Sequence, residues 1–261
     1  MTMPENRFKA RLLAGETQWG LWSTLASPVA AEALSLVGFD WMLFDTEHSP
    51  IEIAGLQPIL QAAAVGTASA VARPAWNDKV LIKKLLDIGV QTVLVPFIET
   101  PEEAEAAVRA TRYPPEGIRG VAGSTRASRY GMASDYLKKA NAEICVLVQI
   151  ETTQAMARLE EIAAVDGVDG VFIGPSDLSA SMGHLGNPAH PDVQEAIRAA
   201  ADRIAAAGKV PGILATKAED AVRYRDWGYR FVAGAVDVGL LVGSARTLLQ
   251  TVAAQPKDTR P

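Results

Sequence analysis

Cysteine is nearly absent from the 261 residues. Cys145 stands alone, which excludes an internal disulfide framework and a cysteine-based zinc cluster. It lies in the apolar run Cys145-Val146-Leu147-Val148 and reads as a small core residue. No run reaches the ~18 apolar residues that a bilayer-crossing helix needs. The N-terminal stretch MTMPENRFKARLLAGE lacks the apolar centre of a signal peptide. A cytoplasmic protein with no membrane partner is therefore expected. There is no basic stripe either. The net charge is −5 with acids and bases interspersed, so nucleic acid is not an expected partner.

What is present is apolar and periodic. Apolar residues make up 49% of the chain, enough to bury a sizeable core in one large α/β domain or two small ones. Short β-rich runs alternate with Ala/Leu/Glu-rich stretches of helical period. The runs are 20–24, 41–47, 68–74, 92–98, 144–151, 170–175, 211–216 and 230–236. Helix-start signals fall between them: Pro101 with Glu102 and Glu103, and Thr216 before Lys217. Strand–helix units buried on both faces predict an α/β fold, a (β/α)8 TIM barrel in a single domain over 1–254. The tail QPKDTRP, 255–261, reads as flexible and solvated. A doubly wound open sheet is the alternative. It would want a glycine-rich phosphate turn after the first strand, and GLWSTLASPVA supplies none. One connection, 113–141, is unusually long. Its Arg119, Arg126 and Arg129 suit an anion, a neighbouring subunit or plain solvent.

The chemistry gathers at strand ends, where a barrel of this kind builds its active site. The run Trp41-Met42-Leu43-Phe44 stops at Asp45, with Glu47 and His48 close behind. Arg73 ends the third run, and an arginine there demands an anion. Gln149 and Glu151 alternate onto one face of the fifth, which faces the mouth if it faces inward. The sixth ends Gly174-Pro175-Ser176-Asp177, where glycine permits close backbone approach and Asp177 adds a second acid. Glu151 and Asp177 are hard oxygen donors suited to Mg²⁺ or Mn²⁺, with Co²⁺ also accepted. As ordinary helix caps or surface ion pairs, the same acids would carry no metal. His184 and His190, in the loop after the sixth run, read as pocket-lining or as merely exposed, and Leu214 and Val236 as pocket wall or as barrel core.

The words FDTEHSP (44–50), VARP (71–74), YPPEGIRG (113–120), QIET (149–152) and GPSDLSASMG (174–183) together resemble the HpcH/HpaI aldolase family. These are the metal-dependent class II pyruvate aldolases. The resemblance runs along nearly the whole chain, closer to the branch acting on short hydroxy-oxoacids. It implies reversible cleavage of 4-hydroxy-2-oxoacids to pyruvate and an aldehyde, within aromatic or sugar-acid catabolism. Glu151 and Asp177 would bind the divalent metal, which pyruvate chelates as its enolate forms, and no organic cofactor is called for. Arg73 would contact the keto oxygen, and the backbone around Gly174, Pro175, Ser176 and Asp177 the carboxylate. His48, oriented by Asp45 and Asp87, would move protons, or a water on the metal would. Gln149 and Glu47 would support these groups. The segment 238–254 is apolar enough to be buried, closing its own barrel or, as the resemblance suggests, exchanged between the subunits of a homo-hexamer.

Three other readings stay open. A Schiff-base aldolase needs a desolvated lysine; no strand carries one inside, and Lys217 is the nearest. A citrate lyase β-like or malyl-coenzyme A lyase would keep the metal and take a thioester. A non-catalytic scaffold would lose Glu151, Asp177 or Arg73, and all three are present.

Overall fold

The computed structural model describes residues 1–254; the tail expected at 255–261 lies outside the described residues. Eight strands pair in parallel and in chain order, and the eighth closes on the first. They are β1 (Gln18–Ser23), β2 (Trp41–Asp45), β3 (Ser69–Arg73), β4 (Thr92–Val95), β5 (Cys145–Ile150), β6 (Gly170–Ile173), β7 (Val210–Leu214) and β8 (Phe231–Val236). The closed barrel bears out the expected (β/α)8 fold and excludes the open sheet.

Alternation decides what lies inside. Trp41 and Leu43 of β2, Val71 of β3, Cys145 and Leu147 of β5, Phe172 of β6 and Phe231 of β8 fill the interior as one cluster. The intervening residues Met42, Phe44, Val146, Val148, Val171 and Val232 pack outward against the helices. Period two then carries the inward face of β2 to Asp45, of β3 to Arg73 and of β5 to Gln149 and Glu151. Two glycines make room for the aromatics. A Cβ on Gly20 would sit 2.1 Å from the Trp41 ring, and one on Gly212 2.1 Å from Phe231.

The floor is closed by α1 (Arg7–Leu13), a helix absent from the alternation scheme. Phe8 stacks edge-on against Trp41 and Phe231, with ring centres 5.9 and 6.0 Å away. Seven residues are too few for an isolated helix, so the burial of Phe8 and Leu12 sustains it. The remaining helices are α2 (Pro28–Ser35), α3 (Ile53–Ala63), α4 (Lys79–Asp87), α5 (Pro101–Thr111), α6 (Tyr136–Glu143), α7 (Thr153–Ala157), α8 (Leu159–Ala163), α9 (Pro175–Ser181), α10 (Pro191–Ala206), α11 (Ala218–Asp226) and α12 (Asp237–Ala253). Thr100, Pro101 and Glu103 start α5 with a reciprocal capping box. At α11 the expected Thr216 cap is not formed. The helix begins one residue later, after Lys217, and relies on Glu219 and Asp220 in its first turn.

The long connection is partly structured. It holds a 3-10 turn at Arg126–Ser128 and then α6. Arg119 is buried between the rings of Tyr113 and Tyr136, 4.4 and 5.7 Å from their centres, and pairs with Asp87. Arg126 donates to the Ile88 carbonyl. These contacts lie at the barrel floor, where α4 ends. Segment 238–254 neither closes its own barrel nor is buried in this chain: every residue of α12 after Asp237 is exposed. Among the described residues, no helix is long and apolar enough to cross a membrane.

Candidate active site

The C-terminal strand ends surround a pocket of about 210 Å³. Asp45, His48, Arg73, Gln149, Glu151, Gly174, Pro175, Ser176, Asp177, Leu214 and Val236 all line it. Asp87, His184, His190 and Lys217 do not.

The first half of the site is a buried ion pair. Strand pairing sets Asp45 opposite Arg73. Arg73 Nε donates to Asp45 Oδ1 at 3.0 Å and Nη2 to Oδ2 at 2.6 Å, a bidentate fork. The indole N–H of Trp22 adds a third bond to Oδ2 at 3.0 Å, and the guanidinium lies 4.7 Å above that ring. Burial alone would raise the Asp45 pKa, but the hydrogen bonds and charge of Arg73 outweigh it and hold the carboxyl below its usual range. Arg73 Nη1 also approaches Glu47 Oε2 to 2.8 Å. That contact is charge proximity rather than an aligned hydrogen bond, since Oε2 is buried without a hydrogen-bond partner. Burial raises the Glu47 pKa against the pull of Arg73.

No hydrogen bond joins the Asp45 carboxylate to the His48 imidazole among the described residues. The Asp45 side chain meets His48 only through the backbone N–H, at 3.3 Å, because both oxygens are committed to Arg73. His48 is exposed at the rim, and its ring makes no hydrogen bond among the described residues. Asp87 stands at the other end of the barrel, paired with Arg119 at 3.3 Å. Helices run antiparallel to the strands, so the last residue of α4 lies at the floor while His48 is at the mouth.

The second half is a carboxylate cluster. Glu151 Oε2 accepts from Gln149 Nε2 at 2.6 Å, and Oε1 from the Phe97 backbone N–H at 3.0 Å. Phe97 aims that N–H from a left-handed conformation, φ 51°, and stacks on Trp76. Burial pushes Glu151 up to about 7 despite both hydrogen bonds, and the nearby carboxylates of Asp177 and Glu47 push the same way. Gln149 Oε1 is buried without a partner. Only glycine fits here without displacing a neighbour: a Cβ on Gly174 would lie 2.6 Å from Glu151 Oε2. Gly174 also precedes α9, which starts at Pro175 without a side-chain cap. The first-turn N–H groups of Ser176 and Asp177 therefore have no intrahelical acceptor. Crowded acids and a spare amide oxygen form an oxygen-rich, anionic donor set that fits a hard divalent cation.

Apolar walls complete the pocket. Trp22, Thr24 and Phe172 join Leu214 and Val236. The sequence reading passed over the first three and Phe97. Inward alternation along β1 and β6 would have found Trp22 and Phe172. The Phe97 contribution is backbone geometry, which carries no residue-type signal. Lys217 is exposed at the start of α11, and among the described residues no lysine lines the pocket for a Schiff base.

Residues 18–244 match the family model described as HpcH/HpaI aldolase/citrate lyase. A 4-hydroxy-2-oxo-heptane-1,7-dioate aldolase of Shigella sonnei is 53% identical over 258 residues, 98% of either chain. A pyruvate aldolase of Rhizobium etli is 52% identical over 248 residues, 95% of this chain and 98% of its own. The crystal structure of a family protein from Burkholderia cenocepacia superposes with a TM-score of 0.93 at 42% identity, covering 95% of this chain and all of that one. With a matched model spanning every strand of the barrel and its mouth, the chain belongs to the HpcH/HpaI aldolase/citrate lyase family.

Proposed function

We propose that this protein is a divalent-metal-dependent class II aldolase that reversibly cleaves 4-hydroxy-2-oxoacids to pyruvate and an aldehyde. The observation that carries the reading is one pocket holding two unlike halves: the Glu151–Asp177 carboxylate cluster and an Arg73 fixed by Asp45. The names of the Shigella and Rhizobium relatives support it.

Glu151 and Asp177 would hold Mg²⁺, Mn²⁺ or Co²⁺. When bound, such a cation supplies Lewis acidity at the substrate's keto oxygen, worth several kcal/mol. Arg73 presents a preorganised cationic donor to that same oxygen, where charge grows as the C3–C4 bond breaks. The N–H groups of Ser176 and Asp177, with Gly174 and Pro175 shaping the approach, receive the pyruvate carboxylate. His48 takes the C4 hydroxyl proton as that carbon becomes the aldehyde carbonyl, and returns it in synthesis. Gln149 steadies Glu151, and Leu214 shapes the aldehyde end. Asp45 serves as the anchor of Arg73 rather than the partner of His48. Within one chain Asp87 is at the wrong end of the barrel for His48, so that role requires a second copy of the chain.

Such copies fit α12. Leu240, Leu241, Leu248 and Leu249 are exposed, a stretch of apolar surface that a lone chain rarely leaves in water. We place α12 between the subunits of a homo-hexamer in the cytoplasm. A monomer in sedimentation would overturn the assembly. The thioester reading is less favoured, since the Shigella and Rhizobium relatives are named as an oxoacid aldolase and a pyruvate aldolase.

The test is exchange of the pyruvate methyl protons with D₂O, followed by NMR. Exchange abolished by chelator and restored by Mg²⁺ or Mn²⁺ is expected. Exchange that survives chelation, or none with any metal, would overturn the proposal.

A further inference from the structure

Two of the three histidines meet outside the pocket, in the loop from α9 to α10. The rings of His184 and His190 stack face to face, with centres 3.5 Å apart and planes 13° from parallel. His184 Nε2 and His190 Nδ1 each lie 3.7 Å from Asp192 Oδ2. One donor atom from each of the three residues lies within 4.8 Å of the other two. We infer that His184, His190 and Asp192 form a second divalent-metal site, selective for a nitrogen-preferring ion such as Zn²⁺, Ni²⁺ or Cu²⁺.

Three observations support it. The first is spacing. Donors about 2.1 Å from a shared tetrahedral or octahedral ion stand roughly 3.0–3.4 Å apart; each imidazole nitrogen is within a few tenths of an ångström of that spacing from the Asp192 oxygen, and the two stacked, partly exposed rings must turn out of parallel to aim both lone pairs at one ion. The second is preorganisation. His184 N–H donates to the Ser179 carbonyl at 2.7 Å, Asn187 N–H to His184 at 2.9 Å and His190 N–H to Asn187 at 3.1 Å. Gln194 Nε2 holds the Pro188 carbonyl at 2.8 Å. These bonds hold the loop backbone without a metal, leaving only the two rings to turn. The third is the absence of a competitor. Among the described residues, Asp192 pairs with neither lysine nor arginine.

His190 Nδ1 accepts the Asp192 backbone N–H at 3.2 Å, so its lone pair is turned to that amide. A metal would displace that long capping bond. The positive end of the α10 dipole opposes a cation, and the Asp192 charge offsets it. Two imidazoles and one carboxylate discriminate against Mg²⁺, which prefers oxygen. The two metal sites are thus chemically separate, and this one does not depend on the aldolase reading. Occupancy would tie the end of α9, whose first turn lines the pocket, to the start of α10.

The experiment is a Zn²⁺ titration of the full-length protein against a chromophoric chelator, with Mg²⁺ in large excess to fill oxygen-donor sites. Wild type should bind one Zn²⁺ per chain under these conditions. His184→Ala and Asp192→Asn should each weaken that binding about tenfold or more, and neither removes the His190 ring nitrogen that caps α10. His190→Ala removes a ligand and a cap together, so it is informative only beside an unchanged circular dichroism spectrum. Equal Zn²⁺ binding by wild type and the His184→Ala/Asp192→Asn double variant would overturn the site, as would no Zn²⁺ binding by wild type.

Discussion

Arg73 grips both oxygens of Asp45 from the neighbouring strand, and both side chains are almost wholly buried. The pair has a direct consequence for mutation. Asp45→Ala leaves a guanidinium charge without its partner and is expected to destabilise the fold by about 3–5 kcal/mol. Arg73→Lys keeps the charge and loses the fork. It should lower kcat by roughly 10²–10³ with a smaller change in stability. Urea unfolding and steady-state cleavage assays separate the two. If Asp45→Ala instead shifted only the pH profile, Asp45 would be the partner of His48 and the geometric assignment would fail.

Glu151 predicts an unusual pH dependence for metal-free protein. Its carboxyl is raised from 4.5 to about 7 by burial. Below pH 4.5 the folded and unfolded chains are both protonated and the group costs nothing. Between 4.5 and about 7 the unfolded chain ionises while the folded one keeps its proton, so stability falls with rising pH and levels off above 7. The shift corresponds to about 3 kcal/mol. Melting temperatures across this window should decline in wild type and stay flatter in Glu151→Gln. Mg²⁺ or Mn²⁺ should remove most of the decline in wild type alone. A flat metal-free profile in wild type would contradict the burial argument.

The barrel was legible because its evidence is periodic. The ends of apolar runs placed Asp45 and Arg73 at the mouth, alternation put Gln149 and Glu151 on one face, and the structure gathers all four in one pocket. Partner choice was less legible. Both Asp45 oxygens turn to Arg73, a contact set by the register of β2 on β3, and register is not written in either strand alone. The helix α1 escaped because its seven residues owe their form to the aromatics they cover, not to propensity. The left-handed Phe97 likewise comes from tertiary context. The burial expected for 238–254 was read from composition, which cannot say whose surface covers an apolar helix.

Gly174 offers a steric test free of backbone strain. Its φ of −92° and ψ of 96° are accessible to alanine. The added Cβ would nonetheless meet Glu151 Oε2 at 2.6 Å and Gln149 Nε2 at 3.1 Å. Glu151 must then shift, and a displacement near 1 Å costs about 10²-fold in rate. Gly174→Ala should therefore remain folded by circular dichroism, bind Mn²⁺ more weakly and lose about two orders of magnitude in cleavage. Wild-type activity in this variant would mean that Glu151 has no fixed role in the chemistry.

Asp237 joins the first turn of α12 to the end of β1. Its buried carboxylate accepts from Ser23 Oγ at 2.8 Å, the Thr24 N–H and Oγ1 at 3.0 Å each, the Leu25 N–H at 3.2 Å and the Val238 N–H at 2.7 Å. Thr24 lines the pocket beside Leu214 and Val236. Asp237→Ala should cost about 2–4 kcal/mol, more than one charge-assisted hydrogen bond and less than the sum of five, because bonds within one network do not add. Protein concentration must be held fixed in that measurement, since an exposed α12 couples stability to assembly. The functional effect should be selective. Thr24 follows β1, which pairs with β8, the strand that carries Val236 of the apolar wall, so the KM for the aldehyde should rise in the synthetic direction while pyruvate proton exchange keeps its rate. Equal losses in both would place Asp237 in the general integrity of the barrel mouth rather than in its acceptor wall.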